Sequence, residues 1–436
     1  MIIHVVQPGE TIDSISEYYN VPIDRLILEN GITNPDNLAT GQTIVIVQPD
    51  LLYTIQPGDT LDSIALQFRV SPMELLRNNP FLSDTEYMDD GETIVIRYQT
   101  VKTKTIATIG YTFPYIDRSV LIKSLPFLTY LCIFNYRATD GGEIISIGDD
   151  TELIQLARAY GAVPMMLIST ISEEGIISRE VASNILNNPS VQDQLMGNIL
   201  DIMRTKGFSA INIYIENITY DNIASIAEYM QRATALFRLE GYTVMITITP
   251  NFGVYSGGFE QIDYSSLSEF VDGVIFASYD WARTYSYPSA IYPVNILRDL
   301  LDYMVRTFPP EKNYLGITTS GYDWLLPYIP GATQATVISY NEAVQIAADN
   351  GIAIQYNEEA ESAYIYYTDS DGNPHIVWTK DARSYDARAS LVAEYDFIGL
   401  SFWTIMRFDA QMWFVINTEY FIERLVGVTG QSSVYV

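Results

Sequence analysis

Asn212-Ile213-Tyr214-Ile215-Glu216 alternates polar and apolar residues without a break. A period of two marks a strand whose two faces see different surroundings. Ile211, Ile213 and Ile215 fall on one face, and Asn212, Tyr214 and Glu216 on the other. In a parallel barrel the isoleucines would pack on an outer ring of helices. The polar row would then line the interior, with Glu216 nearest the strand's C-terminal end, where such barrels keep their chemistry. A carboxylate placed there can act as a general acid, and Tyr214 is its nearest neighbour on the same face.

Working outward from this strand, seven further β-rich runs appear, at Thr105–Tyr111, Tyr130–Tyr136, Val163–Ser169, Thr243–Pro250, Gly273–Tyr279, Tyr314–Thr319 and Ile398–Thr404. Helical patterns such as Asp150–Tyr160, Asn222–Leu239 and Pro293–Thr307 separate most of them. Eight strands alternating with helices predict an α/β fold, a (β/α)8 TIM barrel over residues 102–425. The last interval is too long for one helix. It holds a helix at Asn341–Asn350, then Ile354–Tyr356, Tyr364–Tyr367, a turn at Asp369–Asn373 and His375–Trp378. These residues predict a small inserted α+β subdomain over about 328–390. Trp281, Trp324 and Trp403 fall at or just past strand ends, where flat rings suit stacking on sugars. Trp378 and Trp413 read as core.

The first hundred residues contain a direct repeat. Gln7-Pro8-Gly9-Glu10-Thr11-Ile12-Asp13-Ser14-Ile15 recurs as Gln56-Pro57-Gly58-Asp59-Thr60-Leu61-Asp62-Ser63-Ile64, Asn30 recurs as Asn79, and Gly41–Ile46 as Gly91–Ile96. Each copy reads strand, glycine turn, capped helix, second helix, turn, strand. Two small βααβ modules are therefore expected, at 1–48 and 51–98.

Composition removes several classes of function. The chain carries 24 basic and 53 acidic residues, a formal charge of -29, which argues against nucleic acid and anionic membranes as partners and favours a weakly charged polymer. The single cysteine, Cys132, sits in Tyr130-Leu131-Cys132-Ile133-Phe134 and reads as inert core; it excludes a disulfide framework. Two histidines, His4 and His375, leave little scope for a histidine metal site or a Ser-His-Asp triad. No metal and no cofactor are expected. No apolar run is long enough to span a bilayer, and Met1–Val6 has neither a basic n-region nor a cleavage site, so no signal peptide is expected.

Each repeat resembles the LysM family. That resemblance implies binding to N-acetylglucosamine-containing glycans, peptidoglycan or chitin, in a groove between the first turn and the segment after the second helix. It carries over to Gly9, Glu10, Thr11, Ile12, Asn30 and Ile32 in the first module, and to Gly58, Asp59, Thr60, Leu61 and Asn79 in the second. The large domain resembles glycoside hydrolase family 18, in the LysM-bearing branch of spore cortex-lytic N-acetylglucosaminidases. The likeness rests on Gly207-Phe208 leading into Asn212–Glu216, on Ser278-Tyr279-Asp280-Trp281, on Gly321–Tyr328, and on Gly399-Leu400-Ser401-Phe402-Trp403.

The family implies substrate-assisted retaining hydrolysis, in which the 2-acetamido oxygen of the sugar is the nucleophile. Glu216 matches the acid, Tyr279 the acetamido-binding tyrosine and Asp280 its neighbouring aspartate. Trp403 matches the floor under the reacting sugar, and Asn212, Tyr214, Trp281 and Trp324 are expected to line the substrate. Three positions depart from the pattern. Tyr214 replaces the aspartate two residues before the acid, Ala277 replaces a methionine, and Ser320 replaces a tyrosine. Tyr214 is expected to fill the volume left at Ala277. Three readings stay open: a hydrolase, active or weakened by Tyr214; a degenerate hydrolase that binds glycan without cutting it; and a structural coat or scaffold role through the modules alone. A monomer associated with the spore coat, cortex or cell wall is expected.

Overall fold

The computed structural model describes residues 1–85, 88–171, 178–215, 218–250, 259–277 and 286–425. In the first module, strand Ile2–Val5 pairs antiparallel with Thr43–Ile46 around helices Ile12–Tyr19 and Ile23–Asn30. In the second, Pro49–Thr54 pairs with Thr93–Tyr98 around helices Leu61–Phe68 and Pro72–Asn78. The first helix of each begins with the same reciprocal cap. Thr11 Oγ1 accepts from Ser14 N at 3.2 Å while Ser14 Oγ accepts from Thr11 N at 3.0 Å. Thr60 and Ser63 repeat this at 3.1 and 2.9 Å. Two otherwise orphaned amides are satisfied at each helix start.

The barrel comprises β1 (Lys104–Thr112), β2 (Tyr130–Ala138), β3 (Val163–Ser169), β4 (Ala210–Ile215), β5 (Thr243–Ile248), β6 (Gly273–Phe276), β7 (Asn313–Thr318) and β8 (Gly399–Trp403). Neighbours pair in parallel in chain order, and β8 closes on β1 with Gly399 opposite Ala107. A Cβ at Gly399 would lie 1.8 Å from the Ala107 carbonyl oxygen, so this seam admits only glycine. The alternation expected of β4 is observed. Ile211 and Ile213 join the core shared with the helices, whereas Tyr214 joins an interior cluster with Tyr111, Cys132, Met165 and Met245.

The insertion is a five-stranded sheet with Gly321–Leu325 and Pro374–Thr379 at its centre, and helix Tyr340–Asp349 adds Ala343 and Ala347 to the core formed with Ala363, Ile365 and Val377. It begins upstream of residue 328, because the motif strand after β7 leaves the barrel and pairs with Pro374–Thr379. Helix Ala382–Glu394 returns to the barrel, contributing Ala382, Tyr385, Ala389 and Leu391 to its outer core.

Both modules are docked on the hydrolase. Helix Ala410–Glu419, which follows β8, is buried at every position from Gln411 to Thr418. Among the described residues no helix is long and apolar enough to cross a membrane.

Candidate active site at the barrel mouth

The polar row on β4 divides by depth. Asn212 is fully buried, and its amide closes a ring of hydrogen bonds inside the barrel. Its Nδ2 donates to Tyr111 Oη at 2.8 Å, Thr247 Oγ1 donates to its Oδ1 at 3.0 Å, and the two hydroxyls lie 2.9 Å apart. Asn212 therefore braces the strands beneath the mouth, which corrects its expected place on the substrate surface: every polar atom of the amide is already used. Burial raises the pKa of the Tyr111 phenol well above its usual range and raises that of the Cys132 thiol below it, so both stay neutral.

Tyr214 lies one tier higher and is 7% exposed. Its hydroxyl meets Thr249 Oγ1 at 3.0 Å. The exchange of volume expected between Tyr214 and Ala277 is not direct. β5 separates their strands, and Thr249, one residue past Ile248 at the end of β5, receives the phenol. Ala277 is itself buried, and its amide donates to Ile248 O at 2.9 Å.

Trp403 ends β8 half-buried, bedded on aromatic rings: Tyr111 at 5.4 Å, Phe134 at 5.8 Å and Phe113 at 6.0 Å between centroids. Edge and tilted contacts of this kind fix a ring's orientation. Phe113, Phe134 and Thr249 were not singled out from sequence. Thr249 continues the inward-facing alternation Met245, Thr247, and that pattern could have found it. Ile215 is the last described residue of β4. Glu216, Tyr279, Asp280 and Trp281 lie outside the described residues.

Trp324 is fully buried, packed with Ala335, Ile376 and Tyr322, and its Nε1 donates to Ser286 O at 3.0 Å. This corrects its expected role as a sugar platform: a ring with no exposed face anchors the insertion to the segment after β6. Trp413 is core as expected, stacked on Phe127 at 4.9 Å.

In the modules, Gly9 and Gly58 take φ of +84° and +89° in exposed turns, a conformation that favours glycine. Glu10 accepts from Gln7 N at 2.7 Å and pairs with His4 Nε2 at 2.8 Å; the backbone bond holds its carboxyl below the usual range. Asp59 closes the second turn in the same way, accepting from Gln56 N at 2.8 Å and Tyr53 Oη at 2.7 Å. Thr11 and Thr60 remain exposed beside these turns, and Leu61 is half-buried.

The side chains of Asn30 and Asn79 are buried. Each clamps its module's second helix to the closing strand: Asn30 Nδ2 donates to Leu26 O and Val45 O while its Oδ1 accepts from Val45 N at 2.6 Å. Asn79 does the same with Leu75 O, Val95 O and Val95 N. Ile12 and Ile32 belong to the first module's core. These four side chains are buried and act as internal supports of their modules. Among the described residues no group of three or more His, Cys, Asp or Glu side chains could hold a metal ion.

Comparison with known proteins agrees with this geometry. The family model for glycosyl hydrolases family 18 matches residues 180–407, and the LysM domain model matches 4–47 and 53–96. The cortical fragment-lytic enzyme of Bacillus subtilis (strain 168) is 30% identical over 428 residues, covering 96% of this chain and 98% of that one. The crystal structure of the spore cortex-lytic enzyme SleL from Bacillus megaterium QM B1551 superposes with a TM-score of 0.80 at 28% identity, over 97% of this chain and 99% of the other. That of Bacillus cereus SleL gives 0.79 at 26% identity, over 97% and 99%. The chain belongs to glycosyl hydrolases family 18 and carries two LysM domains ahead of the hydrolase barrel.

Proposed function

We propose that the protein hydrolyses N-acetylglucosamine linkages in peptidoglycan fragments, those of the spore cortex in particular, while its LysM modules hold the glycan. The observation that carries this is Trp403, half-buried on its aromatic bed at the C-terminal end of β8 in a family 18 barrel. The names of the relatives, cortical fragment-lytic and spore cortex-lytic enzymes, supply the substrate class. A spore or cell-wall location follows from that substrate, and one chain acting alone suffices, since modules and barrel share a polypeptide.

In this reading Glu216 donates its proton to the glycosidic oxygen as the C1–O bond breaks. The 2-acetamido oxygen attacks C1 and forms an oxazolinium ion, with Tyr279 donating a hydrogen bond to that oxygen and Asp280 beside it. Water then adds at C1 and gives its proton to Glu216, and the anomeric configuration is retained. Tyr214 alters the step that needs charge. A neutral phenol cannot balance the oxazolinium ion as an aspartate would, and losing one such partner slows turnover by ~10²–10³.

Release of reducing ends from cortex fragments tests the proposal. Glu216→Gln should lower the rate about 10³-fold, whereas equal rates for variant and wild type would exclude hydrolysis by this site. Retained binding of fragments without any turnover would favour the glycan-binding reading that Tyr214 suggests. Tyr214→Asp distinguishes the two further, since a gain in rate marks a site slowed by its tyrosine.

A further inference from the structure

The outer helix of a barrel ordinarily keeps a polar face toward water. Helix Ala410–Glu419 has none: Gln411 through Thr418 are all buried, Met412, Trp413 and Phe414 among them. The surface that would be solvated is covered by the LysM modules, and the seam contains buried polar groups with matched partners. Gln411 Nε2 donates to Thr43 O at 2.6 Å and to Asn30 Oδ1 at 3.3 Å, while its Oε1 accepts from Thr43 Oγ1 at 2.8 Å. Thr43 N donates to Tyr340 Oη of the inserted helix at 3.0 Å. Six residues along, Asn417 Nδ2 donates to Asn78 Oδ1 of the second module at 2.9 Å, and its Oδ1 accepts from Lys102 Nζ at 3.2 Å.

One helix thus binds both modules, at points separated by about 9 Å of helical rise. Gln411 is in the first turn of the helix that follows β8, on the side of the barrel mouth, so the first module is held at that level and the second nearer the opposite end. A second lock joins the first module to the insertion. Ile354 N donates to Thr40 O at 2.8 Å, and a Cβ on the adjacent Gly41 would lie 2.0 Å from Ile354 O. Shifting the module would leave several buried donors and acceptors unpaired, a cost that selects one arrangement.

We infer that Gln411 and Gly41 are positioning residues that fix the first LysM module in one orientation at the barrel mouth, so that polymeric glycan is delivered to the cleft from a set direction. The inference rests on the hydrolase reading above, but its structural half can be read without catalysis. A freely tethered module would raise local substrate concentration in any orientation; a fixed one favours only glycans threaded along its own line.

Gly41→Ala and Gly91→Ala form a matched pair, because both glycines have similar φ, +83° and +88°, and only Gly41 has the Ile354 backbone within reach. Against insoluble peptidoglycan, Gly41→Ala should raise KM about tenfold over Gly91→Ala with kcat unchanged, while both variants cleave short soluble fragments at wild-type KM and kcat. Equal KM values on polymer, or an equal loss on soluble fragments, would overturn the inference. Gln411→Ala provides the same comparison if Gly41→Ala does not fold.

Spin labels at Asp36→Cys and Glu358→Cys, both exposed, supply the readout independent of turnover; the native Cys132 is buried. A single narrow distance that broadens in Gln411→Ala supports the lock, and a broad distribution without that substitution overturns it. Absence of turnover on every substrate with a narrow distance would defeat the hydrolase reading and leave the lock standing.

Discussion

At position 41 of the first LysM module and position 91 of the second, the same closing turn carries glycine with nearly the same backbone angle, +83° and +88°. A methyl group would strike the Ile354 carbonyl at the first and meet nothing within 4 Å at the second. Asn30 and Asn79 show the same divergence. Both clamp helix to strand by three equivalent hydrogen bonds, but Asn30 also accepts from Gln411 of the barrel. The repeated residues set the fold of each module. The surroundings of each copy, which the repeat does not encode, decide whether a residue supports only its own module or also fastens it to the hydrolase.

Substituting the clamps tests that comparison most strongly. Asn79→Ala leaves Val95 N and two carbonyls unpaired in a buried site and should cost about 3 kcal/mol in denaturant unfolding of the full chain. Asn30→Ala should cost about 1 kcal/mol more, since the Gln411 contact is lost as well. An Asn79→Ala effect larger than that of Asn30→Ala would break the argument that the Gln411 contact adds to the Asn30 clamp.

At the lower end of the shared helix, burial pushes the Glu419 carboxyl up from its usual 4.5 to about 9, and the hydrogen bond that its protonated form donates to the Asp386 side chain adds to the shift. The folded state then keeps a proton that the unfolded chain releases. Its contribution is fully present below pH 4.5 and is lost as pH rises through about 9. Glu419→Gln should therefore remove a loss of up to about 5 kcal/mol that the native protein suffers between pH 5 and pH 9, read from unfolding at the two values.

The smallest expected effect is a null difference. Thr11→Ala and Thr60→Ala remove equivalent capping boxes in exposed turns and should each cost about 1 kcal/mol. Unequal costs would show that docking reaches into the first turn of one module.

Most of the barrel was legible because it is built from local patterns. The apolar runs and the alternation of β4 place all eight strands, and the repeat places both modules. Assignments at the site were weaker where depth mattered. Asn212 shares a face with Tyr214, but period two does not say which member of a row lies below the surface. Trp324 stands at a strand end, as a sugar-stacking ring would, yet Ala335 and Ile376 cover it. The docking of modules on barrel was missed because Thr43 and Gln411 are 368 positions apart. One local signal existed: Met412-Trp413-Phe414-Val415-Ile416 is apolar all round, as a helix covered on every side should be.

Cys132 is fully buried on β2 inside the barrel, 3.7 Å from Asn212 Nδ2, and burial raises its pKa far above that of a free thiol. Thiol reagents attack the thiolate of an accessible sulfur, so this one reacts only when the strands around it part. The native chain therefore contains its own clock for barrel opening. The rate at which a disulfide reagent consumes its single thiol measures how often the hydrolase comes apart, with no label introduced.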